Sequence, residues 1–242
     1  MASFPLAAPA FDGKSRRVVA ASALAWIRQG WAIYAVDPGT WMAIMLILLP
    51  IPAALALLPP IGHLLFVLLA PLLVGGMLFA CRHAAREQAV RWSELFAGLR
   101  RNTPGLLALG ALYLGAGLLI VVALALSGAN LAGGRPETAP ALAGSRLFGP
   151  FGLASLLVAA ALLMATGFAP ALVLFNRMPP LRALKTSVSA SLKNLPALLF
   201  MALLGGLPCL VAALPFGLGF IFLGPVVAGS MYASYHDIFL GD

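Results

Sequence analysis

Two stretches decide the fold: "APLLVGGMLFA" at residues 70–80 and "GPVVAGSMYAS" at residues 224–234. Each places Pro before an apolar run, with Gly or Ser four and five positions later and then Met. The matching pairs, offset by 154 residues, are Pro71 with Pro225, Gly75 with Gly229, Gly76 with Ser230, and Met77 with Met231. Because proline bends a helix and frees a backbone carbonyl, the match predicts one bent membrane helix in two copies.

The composition of the chain is that of a membrane protein. Apolar residues make up 62% of the 242 residues and charged residues only 9%, against about 25% in soluble domains. The mean hydropathy is +1.02. The net charge of +8 comes from basic residues beside apolar runs, which indicates contact with anionic lipid and excludes nucleic acid as the expected partner.

Six apolar stretches are long enough to cross a bilayer, and none contains Asp, Glu, Lys or Arg. A single charge at mid-membrane costs about 2.5 to 3.5 kcal/mol, so their absence is a strong signal. The predicted fold is therefore all-α, an integral membrane bundle of six transmembrane helices. The predicted spans are residues 41–58, 61–80, 105–126, 151–175, 195–214 and 216–235.

Basic residues predict the orientation of these spans. Thirteen of the fifteen Lys and Arg residues fall on one face, whereas only Arg135 and Arg146 fall on the other, in the loop 127–149. By the positive-inside rule, both termini are expected in the cytoplasm. The sequence also predicts a flexible cytoplasmic N-terminus over residues 1–16 and a single domain over residues 17–242. The pair Arg16–Arg17 precedes a short apolar run, and we interpret this region as a retained lead-in.

Each hairpin is approached by a similar segment. The stretches "AVDPGTW", "RRNTPGLL" and "LKNLPALL" each contain a proline at a predicted helix start, where its missing N–H is harmless. These prolines are Pro38, Pro104 and Pro196. The expected N-caps are Asp37, Thr103 and Asn194. Upstream, apolar stripes predict amphipathic cytoplasmic helices at Leu24, Ile27, Trp31 and Tyr34, at Trp92, Leu95 and Leu99, and at Leu181, Leu184 and Val188. These features predict three hairpin repeats, with a fainter third proline at Pro170.

Two interpretations of the Pro and Gly residues remain open. Bent helices with Gly75, Gly76, Gly205, Gly206 and Gly229 favour close helix packing, because small residues let backbones approach. Interruptions at matching places in repeats are also typical of transporters. No ionisable group lies at depth, which favours packing, while transport of an apolar or zwitterionic molecule stays the alternative. The kink and packing residues are Pro71, Gly75, Gly76, Pro170, Pro225 and Gly229.

No catalytic residue, cofactor or metal site is predicted. His83 and Glu87 stand four residues apart, and the repeat would bring His236 and Asp237 near them, a set that could bind a divalent ion. Ordinary interfacial polar residues give the same pattern, and we prefer that interpretation. No histidine or lysine is placed to activate a hydroxyl inside a span.

The strongest candidate site is electrostatic. Basic residues near an anionic leaflet each contribute about 1 kcal/mol of attraction to phospholipid headgroups. The alternative is that these charges only orient the spans. The candidate headgroup residues are Arg82, Arg86, Arg100, Arg101, Arg182, Lys185 and Lys193.

The chain resembles an uncharacterised family of six-span inner-membrane proteins of proteobacteria. The likeness lies in "GWAIYAVDPGTW", "PLLVGGMLFACR", "LGALYL", "FAPALVLF", "SLKNLPALL" and "YASYHDIF", and covers the chain after about Gln29. A more distant similarity is to the membrane domains fused to some glycerophosphodiesterases. The resemblance implies a multi-pass protein of the bacterial inner membrane, with no activity to carry over to particular residues.

The sequence thus predicts a non-enzymatic protein that interacts with membrane lipids or serves as an accessory or assembly subunit of a membrane complex. Its expected partners are lipids and other membrane proteins. The alternative is a transporter or channel with a cavity between the helices of Pro71, Pro170 and Pro225.

Overall fold

The computed structural model describes residues 13–126, 150–214 and 217–241, and these are helical without a β-strand, which confirms the all-α prediction. The predicted loop 127–149 and residues 1–12 lie outside the described residues. The helices are α1 Ser22–Val36, α2 Pro38–Leu48, α3 Pro50–Ala56, α4 Ile61–Ala84, α5 Ala97–Arg101, α6 Thr103–Leu126, α7 Pro150–Asn176, α8 Pro180–Lys193, α9 Leu195–Ala213 and α10 Phe220–Leu240. A 3₁₀ helix at Trp92–Phe96 precedes α5.

Five stretches are long and apolar enough to cross a membrane. The sixth predicted span, residues 216–235, falls mainly in α10, which is not among the five. Its helix continues through Tyr235, His236 and Asp237, and these polar residues lower its mean hydropathy. The five are Pro38–Ala56, Ile61–Ala84, Thr103–Ala123, Leu153–Asn176 and Leu195–Ala213.

The first of these stretches is interrupted by proline. Helix α2 ends at Leu48 and α3 begins at Pro50, because Pro50 and Pro52 lack the N–H groups that would continue the α2 hydrogen-bond ladder. Helix α3 then approaches α4 closely, since a Cβ at Gly62 would overlap the Leu55 carbonyl. The span predicted over residues 41–58 is therefore formed by two successive helices.

Helix α1 packs along α10. A Cβ at Gly30 would overlap the Val226 carbonyl, and the Trp26 indole Nε1 donates a hydrogen bond to Asp237 Oδ2 at 2.8 Å. Small residues thus bring the two backbones together, as is usual for helix pairs in membranes. Helix α1, which precedes the first predicted hairpin, therefore packs against α10.

The segment that holds the 3₁₀ helix and α5 packs against α4 in the same manner. A Cβ at Gly98 would overlap the Leu72 carbonyl, and a Cβ at Gly76 would overlap the Leu95 carbonyl. Leu72 directly follows Pro71, just as Val226 directly follows Pro225. Helix α1 thus approaches α10, and the segment with α5 approaches α4, at the residue that directly follows the proline of the approached helix.

Helix α8 folds back on α7 through hydroxyl groups. The Ser187 Oγ donates to the Met164 carbonyl at 2.8 Å and accepts from the Phe168 N–H at 3.1 Å. These two backbone groups would ordinarily bond to each other in a helix, so Ser187 is inserted into the α7 ladder. Ser191 Oγ also donates to the Met164 carbonyl, at 3.2 Å.

The apolar stripes predicted for α1 and α8 are only partly exposed. Trp31 is 59% exposed and Leu181 61% exposed, whereas Tyr34 and Leu184 pack against the core. The buried face of α8 consists of Ala183, Ser187, Ala190 and Ser191. Small residues lie on this face because they permit the backbones of α8 and α7 to approach closely.

The chain before α1 is bound to two later elements. Arg16 N–H donates to the Ile238 carbonyl at 2.9 Å, and the Arg16 side chain forms a salt bridge with Asp237. The Asn194 amide accepts from the Val18 N–H at 2.8 Å and donates to the Arg16 carbonyl at 3.0 Å. Arg16, the last residue of the predicted flexible segment, is thus held in place.

The helix starts differ from the predicted caps at two of three positions. Asp37 Oδ1 accepts from the Thr40 N–H at 3.1 Å, as predicted. Asn102, not Thr103, serves α6, accepting from the Gly105 N–H at 3.3 Å. Asn194 makes no side-chain cap for α9, because its amide is used by the chain before α1.

The three prolines do not occupy equivalent places in their helices. Pro71 and Pro225 lie well before the ends of α4 and α10, whereas Pro170 lies near the end of α7. The expected close packing at Gly205 and Gly206 is also absent, since a Cβ at either position would meet nothing within 4 Å among the described residues.

Candidate functional site

The ends of α4 and α5 meet at the cluster of Arg82, Arg86 and Arg101, called here the arginine cluster. Arg82 lies in the last turn of α4, Arg86 follows that helix, and Arg101 ends α5. The like charges of Arg86 and Arg101 both act on Arg82, so two further cations lie near it. Cations at helix C-termini are favoured by the helix dipole, which explains this placement in part.

Aromatic rings hold two of these arginines. The Arg101 guanidinium lies 4.4 Å from the ring centroid of Phe79, and the Arg82 guanidinium lies 5.2 Å from that of Phe175. Both distances are within the range of cation–π attraction. Aromatic rings therefore orient both guanidinium groups, and neither group forms a salt bridge with a carboxylate among the described residues.

The ring beneath Arg82 belongs to an aromatic cluster. Phe175 contacts Tyr232 and Tyr235, with centroids 6.2 and 5.8 Å apart. The Tyr235 hydroxyl donates to Asn176 Oδ1 at 2.6 Å, which joins α10 to the end of α7. This cluster fixes the ring that supports Arg82. No role for these aromatics is predicted from the sequence, although the position of Phe175, one residue before the end of α7 and beside basic residues, was a usable signal.

Carboxylates do not neutralise the arginine cluster. Within residues 13–126, 150–214 and 217–241, the salt bridges are Arg16 with Asp237 and His83 with Glu94. The seven acidic residues of the whole chain are too few to balance fifteen basic ones. The cluster thus keeps its positive charge.

The other four predicted headgroup residues are not brought into this cluster by any contact found in the described part of the chain. Arg100, Arg182 and Lys185 are exposed. Lys193 Nζ donates a hydrogen bond of 3.4 Å to Ser15 Oγ. Three of the seven candidates therefore form a cluster, and the other four are exposed residues that no described contact joins to it.

The four residues considered for a metal ion do not form a site. Helix α4 ends at Ala84, and Glu87 occupies the left-handed region at φ 55°, so it does not share a helical face with His83. His83 Nδ1 instead pairs with Glu94, while Asp237 binds Trp26 and Arg16. No group of three or more metal-ligating side chains occurs among the described residues.

An apolar groove lies between α2–α3, α4 and α10. It has a volume of about 330 Å³, and it borders the helices of Pro71 and Pro225 without any residue of α7. The cavity expected for a transporter, between the helices of all three prolines, is therefore not this groove. Its lining residues are Leu48, Leu49, Pro52, Phe66, Ala70, Leu73, Val74, Met77, Leu78, Gly224, Val227, Ala228 and Met231.

Five membrane-length apolar helices define the class: this is a multi-pass membrane protein. No family model, curated protein or solved structure matches the chain.

Proposed function

We propose that the chain is a non-enzymatic, six-span protein of the bacterial inner membrane that binds anionic phospholipid headgroups at its cytoplasmic end. The observation that carries this proposal is the arginine cluster. Arg82 and Arg101 are oriented by Phe175 and Phe79, and neither forms a salt bridge in the part of the chain described.

A sixth crossing by α10 is supported by the contact between the two ends of the chain. Arg16 precedes the first span, and its backbone and side chain bind Ile238 and Asp237 at the end of α10. Two such ends meet only on one side of a membrane, which requires an even number of crossings. Five crossings would separate them.

A repeated architecture is supported by two equivalent contacts. Gly30 meets the carbonyl of Val226, and Gly98 meets the carbonyl of Leu72. Val226 and Leu72 are separated by the same 154 residues that relate the two proline stretches. In both cases the segment before one proposed hairpin packs against the second helix of another proposed hairpin, so the proposed repeats contact one another.

The cytoplasmic assignment rests on charge. The ends of α4, α7 and α10 gather beside the segments that carry thirteen of the fifteen basic residues, the side that the positive-inside rule assigns to the cytoplasm. The cytoplasmic leaflet is also the one with the negative surface potential. The arginine cluster would therefore lie at the depth and on the side where anionic headgroups occur.

Guanidinium groups suit a phosphate ligand. Their planar arrangement of N–H donors matches phosphate oxygens in bidentate geometry, and their weak hydration lowers the cost of leaving water. A face of Phe leaves the guanidinium edge available for such bonds. The proposed ligand is accordingly an anionic phospholipid such as phosphatidylglycerol.

The test is lipid retention by the purified protein. The triple variant Arg82→Gln, Arg86→Gln, Arg101→Gln should lower the preference for phosphatidylglycerol over phosphatidylcholine about a hundredfold, at about 1 kcal/mol for each charge. Co-purified lipid is extracted and quantified by mass spectrometry after incubation in mixed micelles.

The control is a second triple variant that removes the same charge from exposed positions outside the cluster: Arg28→Gln, Arg91→Gln, Arg177→Gln. It should retain most of the preference. An equal loss of lipid preference in the two variants would mean that any three positive charges contribute alike, and it would refute a headgroup site at the cluster.

A further inference from the structure

We infer that the apolar groove between α2–α3, α4 and α10 binds one acyl chain of a phospholipid whose phosphate lies at the arginine cluster. This inference rests on the proposed headgroup binding, and it adds a second site to it. The groove and the cluster together would hold a single lipid molecule.

The chemistry of the groove suits a hydrocarbon chain. Every lining residue is apolar, including Phe66, Leu73 and Met231, so a polar ligand would find no hydrogen-bond partner among the lining side chains. Its volume of about 330 Å³ is at the lower end of the range for ligand pockets. It is too small for a transmembrane helix, which is about 10 Å across.

The groove lies where the first crossing is interrupted by proline. Helix α2 is held against α10, where a Cβ at Gly224 would contact the Met45 sulfur, and α3 is held against α4 at Gly62. Between these contacts Pro50 interrupts the helical hydrogen-bond ladder at Leu49, and Leu49 lines the groove together with the facing sides of α4 and α10.

The groove leads to the arginine cluster. Leu78 lines the groove, and Arg82 stands four residues later on the same face of α4, about 6 Å along the helix axis. On α10, Met231 lines the groove and Tyr235 follows by the same spacing. Tyr235 contacts Phe175, the ring beneath Arg82. An uncompensated positive charge one turn beyond an apolar groove complements the two parts of an anionic phospholipid.

Photo-crosslinking tests the inference. The full chain is reconstituted in vesicles that contain phosphatidylglycerol with a diazirine on one acyl chain, and labelled peptides are mapped by mass spectrometry. Label at groove residues such as Ala70 and Ala228 should exceed label at lipid-facing Leu163 and Leu203 at least fivefold. An even distribution over exposed apolar residues would overturn the inference.

A groove-filling variant adds a second measurement. Ala228→Trp should lower groove labelling at least fivefold, because the indole occupies the space of the chain. Leu163→Trp, which adds an indole at a 75% exposed position of α7, is the matched control and should leave it unchanged. Unchanged labelling in a folded Ala228→Trp protein would contradict the inference.

Two further outcomes separate this inference from the headgroup proposal. Strong groove labelling that is equal for phosphatidylglycerol and phosphatidylcholine probes, and unaffected by the arginine triple variant, would support acyl-chain binding in the groove but would refute both the headgroup proposal and the placement of the lipid phosphate at the arginine cluster. Retained phosphatidylglycerol preference without groove labelling would support the headgroup proposal and refute the acyl-chain site.

Discussion

Two pairs of adjacent glycines occupy very different surroundings in this molecule. Gly76 in α4 lies against the Leu95 backbone, and Gly75 lies beside Leu106. Gly205 and Gly206 in α9 have no neighbour within 4 Å of an added Cβ among the described residues. The Gly-Gly pair of α4 thus lets another backbone approach closely. The Gly-Gly pair of α9 borders a space that no described residue fills.

The difference teaches what a glycine pair indicates in a membrane helix. Small residues permit close approach, but a second backbone must be present to use the opportunity. Helix α4 is approached by the segment before α6, whereas α9 is the least buried of the five apolar stretches. Packing in this protein is therefore decided by its short segments as much as by its spans.

Substitution of the two pairs gives the largest expected effect. Gly76→Val would place side-chain atoms on the Leu95 carbonyl, so the free energy of unfolding should fall by about 3 kcal/mol or more. A Cβ at Gly206 would meet nothing within 4 Å among the described residues, so Gly206→Val should change the free energy of unfolding by less than about 0.5 kcal/mol. Tryptophan fluorescence during SDS titration measures both, and similar losses would break the comparison.

Loss of the hydrogen bonds between Ser187 and α7 should lower the free energy of unfolding by a smaller amount. Ser187→Ala removes the bridge between the Met164 carbonyl and the Phe168 N–H and should cost about 1 kcal/mol. The exposed Ser189 on the same helix supplies the control, since Ser189→Ala should be neutral. Hydrogen exchange at the Phe168 amide reports the change directly, and unchanged protection in Ser187→Ala would count against an inserted hydroxyl.

The helix starts extend the comparison to α2 and α9, of which only α2 has a side-chain cap. Asp37→Ala should destabilise the protein by about 0.5 kcal/mol at pH 7, the lower end for a cap. Hydrogen bonds from the Thr40 side chain and N–H hold the pKa of Asp37 below its ordinary value. The folded-state pKa is lowered, so the contribution is present above the unfolded pKa and is lost as pH falls through the folded one.

Unfolding measured at several pH values checks this prediction. The difference between the wild-type protein and Asp37→Ala should be constant near pH 7 and shrink in acid, below about pH 4. A difference that grows on acidification would mean that the carboxylate is not the stabilising form.

The sequence predicted the apolar spans because charges inside them are too costly, and the helix bounds agree within a few residues, as for α6. It did not predict the inward faces of α1 and α8. The buried face of α1 carries Ala23, Trp26, Gly30 and Ile33, and that of α8 carries Ala183, Ser187, Ala190 and Ser191, so neither coincides with the predicted stripe. Long-range pairs such as Arg16 with Asp237 join opposite ends of the chain, so local pattern contains no sign of them.

The headgroup candidates also show what local sequence pattern could not predict. Charge and position near a span end identified the three arginines of the cluster together with four residues that no described contact joins to it. What distinguishes the clustered arginines is an aromatic ring from a different segment, Phe175 or Phe79, and only the folded arrangement reveals it.

The contact between the two chain ends makes the most direct test of the six-span account. In a variant with Cys81 and Cys209 replaced by alanine, single substitutions Arg17→Cys, Leu58→Cys and Gly241→Cys are labelled in spheroplasts with a membrane-impermeant maleimide. The account predicts that Leu58→Cys is labelled from outside, while Arg17→Cys and Gly241→Cys are labelled only after permeabilisation. Labelling of Gly241→Cys from the same side as Leu58→Cys would contradict it, because the chain would then cross the membrane five times.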